Sequence, residues 1–152
     1  MTLPPLPNSA IALGQEASDW REAIRLAGAA LVASGVTQPG YTDRMIEVIE
    51  EFGAYIVIAP GLALAHARPG DDVNREGLAV VTLATPVSFG HPHNDPVSVI
   101  LGLAVTTPES HVTSVAALAN VFNDASAIPA VAAATTPEAV RAVLGATEEA
   151  AA

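Results

Sequence analysis

Leu78-Ala79-Val80-Val81-Thr82-Leu83 and Val97-Ser98-Val99-Ile100-Leu101-Gly102-Leu103-Ala104-Val105 run almost without polar interruption. A strand with one wet face alternates apolar and polar residues. These two do not, so they read as strands buried on both faces. Shorter apolar runs, Ile56-Val57-Ile58 and Leu62-Ala63-Leu64, stand on either side of Pro60-Gly61, and Ile11-Ala12-Leu13 reads as a short edge strand. Around them the period changes to that of helices. Trp20, Ile24, Ala27 and Leu31 share one face, with Arg21, Glu22 and Arg25 opposite. Ser18 or Asp19 is the expected cap and Gly35 the stop. A second helix is expected from Thr42 or Asp43, with Met45, Ile49 and Phe52 inward, Arg44, Glu47, Glu50 and Glu51 outward, and Gly53 ending it. Ser110 is expected to cap a third, with Val115, Leu118, Ala119 and Phe122 inside. Residues 127–134 read as helical. Thr136-Pro137 opens a last helix carrying Val140, Val143 and Leu144.

Strands buried on both faces need helices on both sides. The expected fold is therefore α/β: a three-layer helix–sheet–helix sandwich around a mixed, mostly parallel sheet. One domain spans 1–152, with a loose Pro-rich lead-in at 1–10 and a frayed tail at 147–152. The 152 residues suffice for one core without staples.

Composition excludes several chemistries. There is no cysteine, hence no disulfide, thiolate zinc site or cysteine nucleophile. All six basic residues are arginine, which removes Schiff-base lysines and the P-loop lysine. A net charge of -10 without a basic stripe argues against nucleic acid and anionic membranes as partners. No apolar run reaches the roughly 18–20 residues of a membrane span. Met1 to Ala10 holds no basic residue and is broken by prolines, unlike a signal peptide. A cytoplasmic protein without direct membrane insertion is expected.

Four histidines remain: His66, His91, His93 and His111. His66 falls where a strand leaves the core, a common place for site residues in α/β folds. A histidine there also serves as a hydrogen-bonded packing residue, and both readings stand. His111 follows Ser110 in the expected first turn of the third helix, where backbone N–H groups and the dipole favour an anion. His91-Pro92-His93-Asn94-Asp95 has the spacing of a zinc pair beside a carboxylate, but Asn-Asp-Pro is turn chemistry, and the turn is preferred. Leu62, Leu64 and Val87 read as core, or as an apolar rim on which a partner docks.

The stretch Pro60 to Pro69 (Pro-Gly-Leu-Ala-Leu-Ala-His-Ala-Arg-Pro) resembles the phosphohistidine motif of enzyme IIA domains of the bacterial sugar phosphotransferase system. The resemblance is to the mannitol/fructose superfamily and, within it, the ascorbate-type branch. It extends through Trp20-Arg21-Glu22-Ala23-Ile24, Tyr41 with Met45-Ile46, Pro86-Val87-Ser88-Phe89-Gly90, Asn94-Asp95-Pro96-Val97 and Ser110-His111-Val112. It implies that His66 takes a phosphoryl group from the phosphocarrier HPr and passes it to a cysteine of a IIB component, with His111 on the phosphate; Arg68 reads either as a further phosphate contact or as a solvated loop arginine. It implies no cofactor and no metal. Two positions depart from the pattern: Ala65 stands where proline usually precedes the histidine, and Glu50 where mannitol-type members carry an arginine. A non-catalytic IIA-like regulatory domain, and a metal-dependent hydrolase built on His66, His91, His93 and Asp95, are the alternatives.

Overall fold

A computed structural model describes residues 3–148. Its elements in chain order are β1 (Ile11–Gln15), α1 (Trp20–Ala33), α2 (Gly40–Phe52), β2 (Val57–Ala59), β3 (Leu62–His66), β4 (Gly77–Val87), β5 (Val97–Ala104), α3 (Pro108–Phe122), α4 (Ala127–Ala132) and α5 (Pro137–Leu144). The strands form one sheet in the order β1-β4-β5-β3-β2. β1–β4 and β3–β5 pair in parallel, and β4–β5 and β2–β3 antiparallel. The sheet is thus mixed, as expected, with its pairings evenly divided.

Leu78, Ala79, Val80 and Val81 on β4, and Val99, Ile100 and Leu101 on β5, are all fully buried, so both faces are covered. α1 lies on one of them: Leu31 reaches to 3.3 Å of where a side chain at Gly102 would begin. The helices of the C-terminal half close the other. At Gly77 a Cβ would drive into the buried side chain of Val36. Gly77→Ala should therefore cost about 1–3 kcal/mol through overpacking, read as a lower thermal midpoint with β-sheet circular dichroism retained.

Helix ends differ from expectation where turn geometry outweighs capping propensity. Asp19 does cap α1, accepting from Glu22 N. α2, however, begins at Gly40 behind Pro39, so Thr42 and Asp43 sit inside its first turn. α3 is capped by Thr107, whose hydroxyl accepts from Ser110 N, with Pro108 at the first position. Ser110 is the residue being capped. Phe52, expected inward, is 61% exposed at the very end of α2.

The segment read as a loose lead-in is fastened from residue 3 onward. Leu6 is fully buried, its N–H donates to the Thr147 carbonyl, and Arg141 donates to the Leu6 carbonyl and to Asn8 Oδ1. Prolines stiffen this segment rather than free it. Of the tail, Glu148 pairs with Arg141 at 4.0 Å, while 149–152 lie outside the described residues.

The fold's consequence for function is positional. β3 and β5 are parallel neighbours, paired from Leu62↔Val99 to His66↔Leu103. Their C-terminal ends therefore share one sheet edge, and α3 starts there soon after β5 ends. That connection brings position 111 to position 66.

Candidate functional site

His66 is the last residue of β3, half-buried, with its ring curled back along its own strand. Nδ1 lies 3.0 Å from the Leu64 carbonyl. A carbonyl only accepts, so Nδ1 carries the proton and Nε2 keeps its lone pair. Burial holds the ring's pKa below the ordinary histidine value. The Leu64 carbonyl pulls the other way, and His111 adds to the depression. The ring is thereby kept neutral at pH 7.

His111 stands against it, with ring centroids 5.1 Å apart and planes at 36°. Its place differs in detail from the expected first-turn anion site. Pro108 has no N–H, Ser110 N is engaged by Thr107 Oγ1, and His111 N donates to the Thr107 carbonyl. What His111 offers to a ligand is its side chain. Tyr55 closes the other side, its ring 6.2 Å from His66 at 85°, and Phe52 packs edge-on against Tyr55.

These residues line an open depression of about 660 Å³, together with Val48, Arg68, Pro108 and Val112. Four large apolar side chains are exposed among the described residues, and three of them border this depression: Phe52, Tyr55 (51%) and Val112 (67%). Apolar surface gathered around a polar centre is the mark of a docking site rather than of scattered exposure. Leu62, Leu64 and Val87, weighed as rim or core, are buried core residues. Sequence reasoning missed the actual rim. Phe52 follows the apolar period of α2 but stands at its last position, and Tyr55 is turned outward after the left-handed bend at Gly53 (φ 83°).

Arg68 lies exposed at the border of the depression, and its guanidinium has no ion pair among the described residues. Its carbonyl accepts from Arg44, which also grips Asp72 with two bonds of 2.8 and 2.6 Å. Glu50 points away into a surface pair with Arg21 at 3.0 Å and does not line the depression. Ala65 is buried and in register with Gly102, so the sheet fixes the backbone that a proline ring would otherwise fix.

His91 and His93 belong to a turn. Asp95 accepts from Ser88 Oγ and from the backbone N–H groups of Phe89, Gly90 and His91. His91 Nδ1 accepts from the N–H groups of His93 and Asn94. Among the described residues no group of three or more His, Asp or Glu side chains could hold a metal. The ligand set of the metal-hydrolase alternative is not gathered: Asp95 and His91 Nδ1 are engaged within the turn, and His66 stands beside His111 instead.

The chain is similar to known proteins over most of its length. Residues 5–146 match the family described as phosphoenolpyruvate-dependent sugar phosphotransferase system, EIIA 2. The ascorbate-specific PTS system EIIA component of Escherichia coli (strain K12) is 38% identical over 118 residues, 77% of each chain. A PTS IIA domain from Streptococcus pyogenes M1 GAS superposes with a TM-score of 0.82 at 37% identity, covering 91% of this chain and 89% of that one. The IIA mannitol protein of E. coli, solved in complex with phosphorylated IIB mannitol, gives 0.80 at 27% identity, with 90% and 94% covered. The chain belongs to the EIIA 2 family of the phosphoenolpyruvate-dependent sugar phosphotransferase system.

Proposed function

We propose that this phosphotransferase component carries a phosphoryl group on His66 Nε2. It accepts the group from HPr and passes it to a IIB cysteine, acting in the cytoplasm in support of uptake of ascorbate or a related sugar. The observation that carries the reading is the His66–Leu64 bond, which leaves a neutral ring with its Nε2 lone pair free beside His111. The lone pair attacks phosphorus, and the bond to the donor breaks with its electron pair leaving on HPr. The Nδ1–H then stabilises the positive charge gained by the ring by donating to the Leu64 carbonyl. The His111 ring and the Arg68 guanidinium meet the phosphoryl oxygens, where charge accumulates during transfer. Discharge reverses the step: a thiolate attacks, and the P–N pair returns to Nε2. These 152 residues hold no cysteine, so the thiolate lies outside them, on a IIB component. Phe52, Tyr55 and Val112 form the apolar border on which donor and acceptor dock in turn. The ascorbate-specific relative supports the sugar class, and the solved IIA–IIB complex supports the acceptor. Among the described residues no helix is long and apolar enough to cross a membrane.

The test is incubation with phosphoenolpyruvate, enzyme I and HPr. Intact mass should show one added phosphoryl group, acid-labile and removed by a IIB domain. Absence of phosphorylation with a cognate HPr overturns the relay and leaves a regulatory binding domain. The pH dependence has a definite sign. Protonation ties up the attacking lone pair, and the folded ring titrates below 6.5. The pH midpoint of single-turnover transfer from prephosphorylated HPr should therefore lie below the ordinary histidine value, with the rate falling as pH drops through it. A midpoint at or above the ordinary histidine value contradicts this.

A further inference from the structure

β3 and β5 stay paired up to His66↔Leu103. A continued ladder would next join the Ala67 N–H to the Leu103 carbonyl directly. Instead the Tyr41 hydroxyl stands between them. It accepts from Ala67 N at 2.9 Å and donates to the Leu103 carbonyl at 2.7 Å, with the Ala67 carbonyl 3.2 Å away. Two strands separated by one hydrogen bond cannot hold an oxygen between them, so this inserted rung spreads β3 from β5 at the residue after His66. Tyr41 is fully buried, and burial pushes its phenol up to about 12, so the rung stays protonated. One turn further along α2, Arg44 lies over the Tyr41 ring at 5.2 Å and donates to the Arg68 carbonyl while held by Asp72. A single helix thus braces the two backbone units that follow His66.

We infer that Tyr41 is a positioning residue for phosphoryl transfer, its hydroxyl setting the backbone from which His66 presents Nε2. This role presupposes the relay proposed above. In-line transfer tolerates little displacement of the attacking atom. The Leu64 carbonyl fixes the rotation of the ring, and the Tyr41 rung fixes where its strand ends.

The test uses Tyr41→Phe, which keeps the ring and removes the rung, beside Arg141→Ala, a destabilising control whose partners Leu6 and Asn8 lie outside the depression. Tyr41→Phe should lower kcat for transfer from HPr about tenfold or more with KM changed less than about twofold. In the unphosphorylated variant the His66 ring 15N resonances should move from a single Nδ1–H tautomer toward a mixture. Arg141→Ala should show neither change. In the wild-type protein the Ala67 amide should be protected from hydrogen exchange, a reading that needs no variant. Unchanged kcat and ring spectrum in Tyr41→Phe, equal slowing in both variants, or an unprotected Ala67 amide each overturn the positioning role. Wild-type protein that takes no phosphoryl group overturns instead the relay, and the ring spectrum and amide exchange still judge the rung.

Discussion

His66→Ala should take up no phosphoryl group: after incubation with phosphoenolpyruvate, enzyme I and HPr its mass should be unchanged, and it should transfer nothing to a IIB domain. The effect should be complete because no other side chain lining the depression is held as His66 is. The chain has no cysteine, and among the described residues the His111 ring has no carbonyl bond like that of His66 to Leu64. Folding should survive. The hydrogen bond of His66 runs to its own strand, so its loss costs about 0.5–1.5 kcal/mol, and circular dichroism and a modestly lower thermal midpoint check this. A fully phosphorylated His66→Ala protein would move the carrier elsewhere, with His111 examined first. His66→Gln sharpens the test, since it retains an amide donor near Leu64 but has no nucleophilic nitrogen.

His111→Ala should still be phosphorylated on His66, but about 10²- to 10³-fold more slowly. This is the range found when one donor to a developing oxyanion is removed from a preformed site. The loss should fall on kcat, because the apolar border of Phe52, Tyr55 and Val112, on which docking is proposed, remains intact. Rapid-quench transfer from prephosphorylated HPr separates the two constants. His111→Gln should recover part of the rate by restoring an N–H donor. A normal kcat in His111→Ala would reduce the 5.1 Å stacking of the two rings to packing. Removing His111 also removes one cause of the depressed His66 pKa. The pH midpoint of transfer should therefore rise toward the ordinary histidine value in the variant.

The two readings draw on different parts of the chain. The place of His66 was legible because Leu62 to His66 is a short apolar run ended by a polar ring, and a run that ends so abruptly marks a strand leaving the core. The family motif around Pro60-Gly61 and Arg68-Pro69 named the same residue. The border of the site was not legible. Phe52 obeys the same 3.6-residue period as the buried Met45 and Ile49, yet it is exposed. Periodicity reports which face of a helix points inward, not whether the core still extends beneath its last turn. Tyr55 follows the positive φ at Gly53 and is exposed, a change of chain direction that apolar patterning does not contain. The cap of α3 was misplaced for a related reason: Thr107-Pro108 and Ser110 are both good openings, and the turn leaving β5 chooses between them.

By itself the sequence determined the sheet and its cover, because runs such as Leu78 to Leu83 are too apolar to have a wet face. It determined that the chemistry here is neither thiol nor lysine chemistry, because those atoms are absent. It also marked His66 as the residue to watch. Only the tertiary structure decided what surrounds that residue. The parallel pairing of β3 with β5 set position 111 beside position 66, and a hydroxyl from α2 entered the ladder one residue past the histidine. Both are contacts between segments far apart in the chain. Their energies depend on register and distance, and neither quantity is carried by local composition or period.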